Sequence, residues 1–263
     1  MVAVVSKINE QEFSSLLSEA DIELSSFKTF LDSFPLQGND LYVTVFNRHS
    51  EIIQTQKARF AVANLEKILK ATFEVSAGSG FDRMSLRDLS RQTGMSMGAI
   101  YSCISKKEDI ALMIADIVRL SSEMTRNHAA KSDSPLQQIE NSILFHLYAS
   151  TLLQPWYFFL YFETRSLPED QQQASKRIEL GAIENFELLI KRGVETGEFN
   201  VDDPYMVANT IVVLLEDWYL KPWKTRAKLG STHSSRLLTE QEKKIKSYNQ
   251  LILRLVRKLL TVS

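Results

Sequence analysis

Apolar residues return at every third or fourth position through most of the chain, the period of helices that each bury one face. Val62, Leu65, Ile68 or Leu69, Thr72 and Phe73 predict a helix over 57–77. Leu112, Ile114, Ile117, Val118 and Leu120 predict another over about 106–128, apolar enough to pack in two domains and link them. After the polar break KSDSP at 131–135, Leu136, Ile139, Ile143 and Leu147 mark a third. Pro155 starts a fourth, and 168–193 reads as a long amphipathic helix. Past the loop GEFNVDDP at 197–204, Pro204 stands near a helix N-terminus, where its missing donor is harmless. Val207, Ile211, Leu214, Leu215 and Trp218 carry that helix to 220. Thr239 with Glu242 reads as a capping box for the last helix, whose stripe is Ile245, Ile252, Leu255 and Leu259. One segment reads differently: Leu41 to Phe46 mixes β-branched and aromatic residues and is a strand candidate. The predicted class is all-α.

Residues 85–109, SLRDLSRQTGMSMGAIYSCISKKED, hold two short helix patterns joined by a glycine turn. Ser85 with Asp88 has the S-x-x-D form of a capping box, so a helix opens at Leu86 and Gly94 supplies the backbone that ends it. Leu86 and Leu89 face inward, Arg87 and Arg91 outward. Ser96 reads as a second N-cap, and Ile100 with Ile104 gives the following helix one buried stripe. Its other face carries Met97, Gly98, Ala99, Tyr101 and Ser102, small enough at the N-terminal end to approach base edges.

From about Lys57 to Val118 the chain resembles the DNA-binding domain of the tetracycline-repressor-like (TetR) family of bacterial regulators. The resemblance is carried by G-x-G-F at Gly78 to Phe81, Ser85-Leu86, Gly94-Met95-Ser96, Gly98-Ala99-Ile100-Tyr101 and Lys107-Glu108-Asp109-Ile110. It implies a helix-turn-helix DNA-binding domain followed by a helical ligand-binding and dimerisation domain. Tyr101 and Lys107 would hold phosphates, Lys107 from a helix N-terminus. Ser85 and Arg87 would touch the backbone or flanking bases, while Ser96 caps the recognition helix and Met97, Gly98, Ala99 and Ser102 face bases. The recognition helix offers no Arg, Asn or Gln for bidentate readout, so thymine-methyl contacts, indirect readout and the nearby Arg87 or Gln92 must supply specificity. The resemblance also implies a homodimer, its last two helices forming a four-helix bundle with those of a second subunit. A two-fold partner suits a reader whose half-sites lie one helical turn apart.

Composition changes this picture little. With 263 residues, 44% of them hydrophobic and 24% charged, the chain is long enough for two domains. Its net charge of −1 argues against a general polyanion binder. Residues 1–56 carry 3 basic and 8 acidic groups, 57–128 carry 11 and 8, and 129–263 carry 17 and 16, so only the motif-bearing segment is distinctly basic. No apolar run spans a bilayer and the N-terminal apolar stretch is too short for a secretory signal, which leads us to expect a cytoplasmic protein and no membrane partner. One cysteine and four scattered histidines give neither a disulfide framework nor metal-ligand spacing, and no cofactor is expected. No phosphate loop or H-E-x-x-H is present, so an enzyme is not expected. Cys103 reads as a packed thiol.

The expected organisation is an extension over 1–50, a DNA-binding domain over 51–128, and a ligand-binding and dimerisation domain over 129–263. In the extension, Asn9 with Glu12 suggests a capped helix, and Leu24, Phe27, Phe30, Leu31 and Phe34 need cover from their own or a partner subunit. The segment PWYFFLYF at 155–162, apolar all round, must be buried on nearly every side. Its rings belong to the core or line an apolar cavity, with Tyr148, Trp156, Tyr157, Phe159, Tyr161, Phe162 and Trp218 as candidate lining. His146 and Glu163 read either as head-group contacts or as satisfied groups. The stretch from Trp218 to Lys224 resembles the aromatic region of TetR-like sensors of acyl thioesters or other lipophilic compounds. Lys221, Lys224, Arg226 and Lys228 would then meet a ligand's phosphates or form a solvated loop. The expected partners are thus a double-stranded operator, an apolar and possibly fatty-acyl effector, and a second copy of the chain; the alternative is a lipid-binding or scaffold protein without operator binding.

Overall fold

The structure, a computed structural model, describes residues 21–54, 57–167, 169–221 and 234–260. The described residues form α-helices joined by short loops and one 3-10 turn, with no strand among them. They gather into two compact units. The first comprises Phe34–Leu120 and Pro155–Ser175, the second Asp21–Ser33, Ser121–Gln154 and Lys176–Ser263. These units cut across the three consecutive blocks expected from sequence.

In the first unit, α2 (Gly38–Arg48) packs along α3 (Ala58–Ser79), and α3 braces α4 (Leu86–Thr93) and α5 (Met97–Tyr101). Val62, Leu65, Ile68, Leu69 and Thr72 are all buried on α3, so both members of the Ile68/Leu69 pair face the core. The helix α6 (Lys107–Ala129) gives this unit its residues up to Leu120, and α8 (Gln154–Phe162) gives it the aromatic segment.

The strand expected at 41–46 is helical: Leu41 through Phe46 lie within α2, and all six are buried. A β-rich composition reads as a strand only while one face meets water. Here every face is covered, and tertiary burial overrides propensity.

In the second unit, α7 (Pro135–Leu152) packs with α10 (Pro204–Leu220) and α11 (Ser234–Leu259), while α1 (Phe27–Ser33) and most of α9 (Glu169–Glu195) complete it. Ser134 caps α7 and Asp203 caps α10, each followed by proline at the first helical position, which the sequence reading expected for Pro204 alone. The last helix starts at Ser234, so Thr239 lies inside it and is not its cap. Its apolar positions also divide: Ile245, Ile252, Val256 and Leu260 are buried, whereas Leu251, Leu255 and Leu259 are exposed. Phe27 and Phe30 of α1 pack at a tilt against Tyr148, at ring centroids 5.3 and 5.2 Å away, so these two rings are covered by their own chain. The Asn9–Glu12 cap, and Trp223, Lys224, Arg226 and Lys228, lie outside the described residues.

Candidate nucleic-acid interface and effector region

Helix α4 opens on a reciprocal cap. The Ser85 hydroxyl accepts the Asp88 amide at 3.3 Å, and the Asp88 carboxylate accepts the Ser85 amide at 2.9 Å. Hydrogen bonds from the Ser85 side chain and backbone hold the Asp88 carboxyl below its ordinary range. Of this helix only Leu89 is wholly buried, which leaves Arg87 and Arg91 exposed. Gly94 ends it at φ +69°, a left-handed conformation that favours glycine. The Ser90 hydroxyl then donates to the Met95 carbonyl at 2.6 Å and closes the turn. Gln92 donates to Glu74 of α3 at 2.8 Å, an engagement that competes with base contact.

Helix α5 opens on Ser96, whose hydroxyl accepts the Ala99 amide at 3.2 Å. Ile100 is its one wholly buried side chain. Fixing Ile100 inward turns Ser96, Gly98 and Tyr101 outward, with Met97, Ala99 and Ser102 half-buried beside them. Tyr101 is 47% exposed, which is not a core position. Ile104 lies beyond the end of α5 yet is buried as its expected stripe requires. Cys103 is buried, and burial pushes its thiol up, away from the reactive thiolate.

Lys107 begins α6, but its ammonium is turned onto the loop before α4. It donates to the carbonyls of Phe81, Asp82 and Met84 at 3.3, 2.6 and 3.4 Å and lies 5.4 Å from the centre of the Phe81 ring. An ammonium has three donors, and all three have acceptors here. Phe81 is gripped from its other side. Its ring meets Phe159 edge-on at 4.9 Å, and its amide donates to the Glu163 carboxylate at 2.6 Å. Gly80, at φ +82°, makes the bend that presents this amide, and the Glu163 oxygen lies 4.0 Å from where a β-carbon at Gly80 would stand. Asp109, buried at the first turn of α6, accepts the Ser105 and Lys106 amides at 2.8 and 3.0 Å.

The candidate effector residues fall into two groups. Trp156, Tyr157, Phe159, Tyr161 and Phe162 belong to the first unit, Tyr148 and Trp218 to the second. Trp156 packs on Phe73 and Tyr42, and Phe159 on Phe73 and Phe81, as core. Tyr161 is exposed and Phe162 half-buried, so the segment is not covered on every side. The Trp218 indole donates to the Thr151 hydroxyl at 2.8 Å and packs at a tilt against Tyr248, ring centroids 4.9 Å apart. His146 is half-buried, its ring 5.9 Å from that of Tyr219, and burial pushes its imidazole down to about 4, which keeps it neutral. Lys221 pairs with Asp217 at 2.8 Å.

The sequence reading missed two polar atoms inside the second unit. Ser142 Oγ and His128 Nδ1 are buried and find no hydrogen-bond partner among the described residues. Buried polar atoms are ordinarily satisfied, so each of these could take another polar group. The signal was present: Ser142 falls on the same helix face as Ile139 and Phe145. Among the described residues no cluster of His, Cys, Asp or Glu could hold a metal, and no helix is long and apolar enough to cross a membrane.

Comparison with known proteins bears on both parts. Residues 132–220 match the tetracyclin repressor-like C-terminal domain family. No curated protein sequence matches the chain. Among solved structures, a TetR-family regulatory protein from Rhodococcus RHA1 is 19% identical, with a TM-score of 0.59 over 76% of this chain and 98% of its own. FadR of Bacillus subtilis, solved in complex with stearoyl-CoA, is 16% identical, with a TM-score of 0.54 over 72% of this chain and 97% of its own. The ketosteroid transcriptional regulator KstR2 of Mycobacterium tuberculosis is 13% identical, with a TM-score of 0.55 over 77% and 96%. At these identities the likeness is one of fold.

Proposed function

The chain carries a tetracycline-repressor-like C-terminal domain and the fold of that family's regulators, and from this premise we propose that it is a ligand-responsive DNA-binding transcriptional repressor. The observation that carries the reading is the α4–Gly94–α5 unit. Both helices are capped by serine, and one buried isoleucine turns the short second helix so that its small residues and Tyr101 face outward. A helix so presented enters the major groove, with Met97, Gly98, Ala99 and Ser102 at base edges and Tyr101 on a phosphate. Ser85 and Arg87 reach the backbone from α4, and Ser96 sets the entry angle. Lys107 acts chiefly as the strut of the loop before α4.

The effector is apolar and of fatty-acyl character. FadR, solved with stearoyl-CoA, and KstR2, a ketosteroid regulator, share the fold. In the second unit Tyr148 and Trp218 are our candidates for its apolar contacts, and the unpartnered Ser142 and His128 for its polar end. The repressor works as a homodimer in the cytoplasm, joined through the exposed apolar residues of α10 and α11. Release from the operator follows when bound ligand shifts the dimer toward a subunit arrangement whose recognition helices no longer match it.

Selection of duplexes from a random pool by the full chain tests the reading. A selected palindromic sequence, bound with steep salt dependence and released by stearoyl-CoA, supports it. Failure to select any sequence removes operator binding and favours a lipid-binding or scaffold role.

A further inference from the structure

Residues 38–54 precede the stretch that resembles a DNA reader, yet they are built into it at two points. Helix α2 ends on Arg48, whose guanidinium donates to both carboxylate oxygens of Asp116 on α6, Nε at 2.5 Å and Nη2 at 3.0 Å. The pair is almost dry, with side chains 8% and 14% exposed. Arg119 donates to the same carboxylate at 2.6 Å, and the His49 ring lies 3.3 Å from it. Burial opposes ionisation of Asp116, but the hydrogen bonds from His49 and Arg48 and the Arg48 charge outweigh it and hold the carboxyl well below the usual range.

The chain then turns through His49 to Ile53, whose amide donates back to the His49 carbonyl, and Ile53 is buried. The next amide, that of Gln54, donates to the carbonyl of Ser102 at 3.0 Å. Ser102 is the C-cap of α5. The carbonyls at a helix end have no partner within the helix, and a helix of one and a half turns has little stability of its own. The orientation of α5 is therefore set from outside, and here the donor is Gln54, in the segment between α2 and α3.

We propose that residues 38–54 form a positioning brace for the recognition helix, anchored on α6 by Arg48 and on α5 by the Gln54 amide, so that operator discrimination depends on a segment that does not touch DNA. Within it Asp40 and Glu51 outweigh Arg48, whose charge is already paired, which agrees with a segment kept off the phosphates. The inference rests on operator binding as proposed above, and on geometry that stands without it.

The test uses the full chain and the duplex that the wild type selects. Gln54→Ala keeps the amide donor, while Gln54→Pro removes it and also restrains Ile53. Arg48→Lys keeps the charge and loses the two-pronged bond. We expect Gln54→Ala to behave as wild type. Gln54→Pro and Arg48→Lys should lose roughly tenfold in the ratio of selected to scrambled duplex affinity, with scrambled binding and its salt slope unchanged. Folded variants that keep the wild-type ratio overturn the brace, and Arg48→Lys decides the matter should Gln54→Pro not fold. Should the wild type select no sequence, the function reading fails alone. The brace is then judged by hydrogen exchange. Faster exchange of the Ile100 to Ile104 amides in Arg48→Lys sustains it, and unchanged exchange removes it.

Discussion

The Glu163 carboxylate accepts the Phe81 amide at 2.6 Å, joining residues 82 positions apart in sequence. One lies just past the end of the aromatic helix α8, the other in the loop from which α4 starts. With Phe159 against the Phe81 ring, this bond makes α8 part of the scaffold of the proposed DNA reader. Glu163→Ala strands a partly buried amide, which costs about 1–3 kcal/mol, toward the lower end at such a site. We expect operator affinity to fall roughly tenfold as the loop loses its register. Glu163→Gln, which retains an accepting oxygen, should recover most of the loss. Duplex titration of the three proteins checks this, and equal affinities would detach α8 from the reader.

That bond could not be read from the sequence, whereas the cap next to it could. Ser85 with Asp88 and Ser96 with Ala99 are local, because spacings of three residues encode them completely. The glycine turn, the bounds of α10 and the paired Ser-Pro and Asp-Pro helix starts are local in the same sense. Glu163 and Phe81 meet only once two distant segments are placed, and charge and periodicity specify no such partner. The same holds for Arg48 with Asp116. The strand expected at 41–46 failed for a related reason, since a segment covered on every face loses the contrast by which helix and strand are told apart. The aromatic segment was legible as apolar but not as core of the first unit, because composition says how much surface must be buried and nothing about against what.

Lys107 and Tyr101, both expected on phosphates from the resemblance, take separate roles. With its three donors on carbonyls, Lys107 ties the loop over 81–84 to the start of α6. Lys107→Met should lower the unfolding midpoint and leave the salt slope of operator binding unchanged. Tyr101→Ala, at an exposed position, should lower affinity with little change in stability. A fall of about 1 in the salt slope for Lys107→Met would place its ammonium on a phosphate after all.

Glu216 on α10 titrates in the neutral range. Burial, and then the charge of Glu179, push its carboxyl from 4.5 up to about 7. The folded chain therefore retains a proton that the unfolded chain gives up at lower pH. Its stability contribution is full below 4.5 and is lost as pH rises from there through 7. Glu216→Gln removes this dependence. Denaturation midpoints of variant and wild type should agree near pH 4 and diverge in favour of the variant by pH 8. Other groups titrate in the same window but cancel in that difference, and a pH-independent difference would be incompatible with a buried, charge-crowded carboxyl.

The dimer proposal has its own test in the two stripes of α11. Ile245, Ile252 and Val256 are spent on the core of their own unit, while Leu251 and Leu255 stand one turn apart on the exposed side, with Val213 exposed on α10. A soluble monomer gains nothing from such a row, and apolar surface of this kind marks a contact with another protein. In a two-fold pair each residue counts twice, so one charge introduced there places two charges in the same buried seam. Leu251→Glu and Leu255→Glu together should leave the helical content intact and convert the protein to a monomer in sedimentation. Losing one of two linked half-site contacts should then weaken operator binding at least roughly a hundredfold, because the second contact is no longer intramolecular. A variant that sediments as a monomer and binds the operator as the wild type does would show that a single copy reads the site, and the symmetric reader would have to be abandoned.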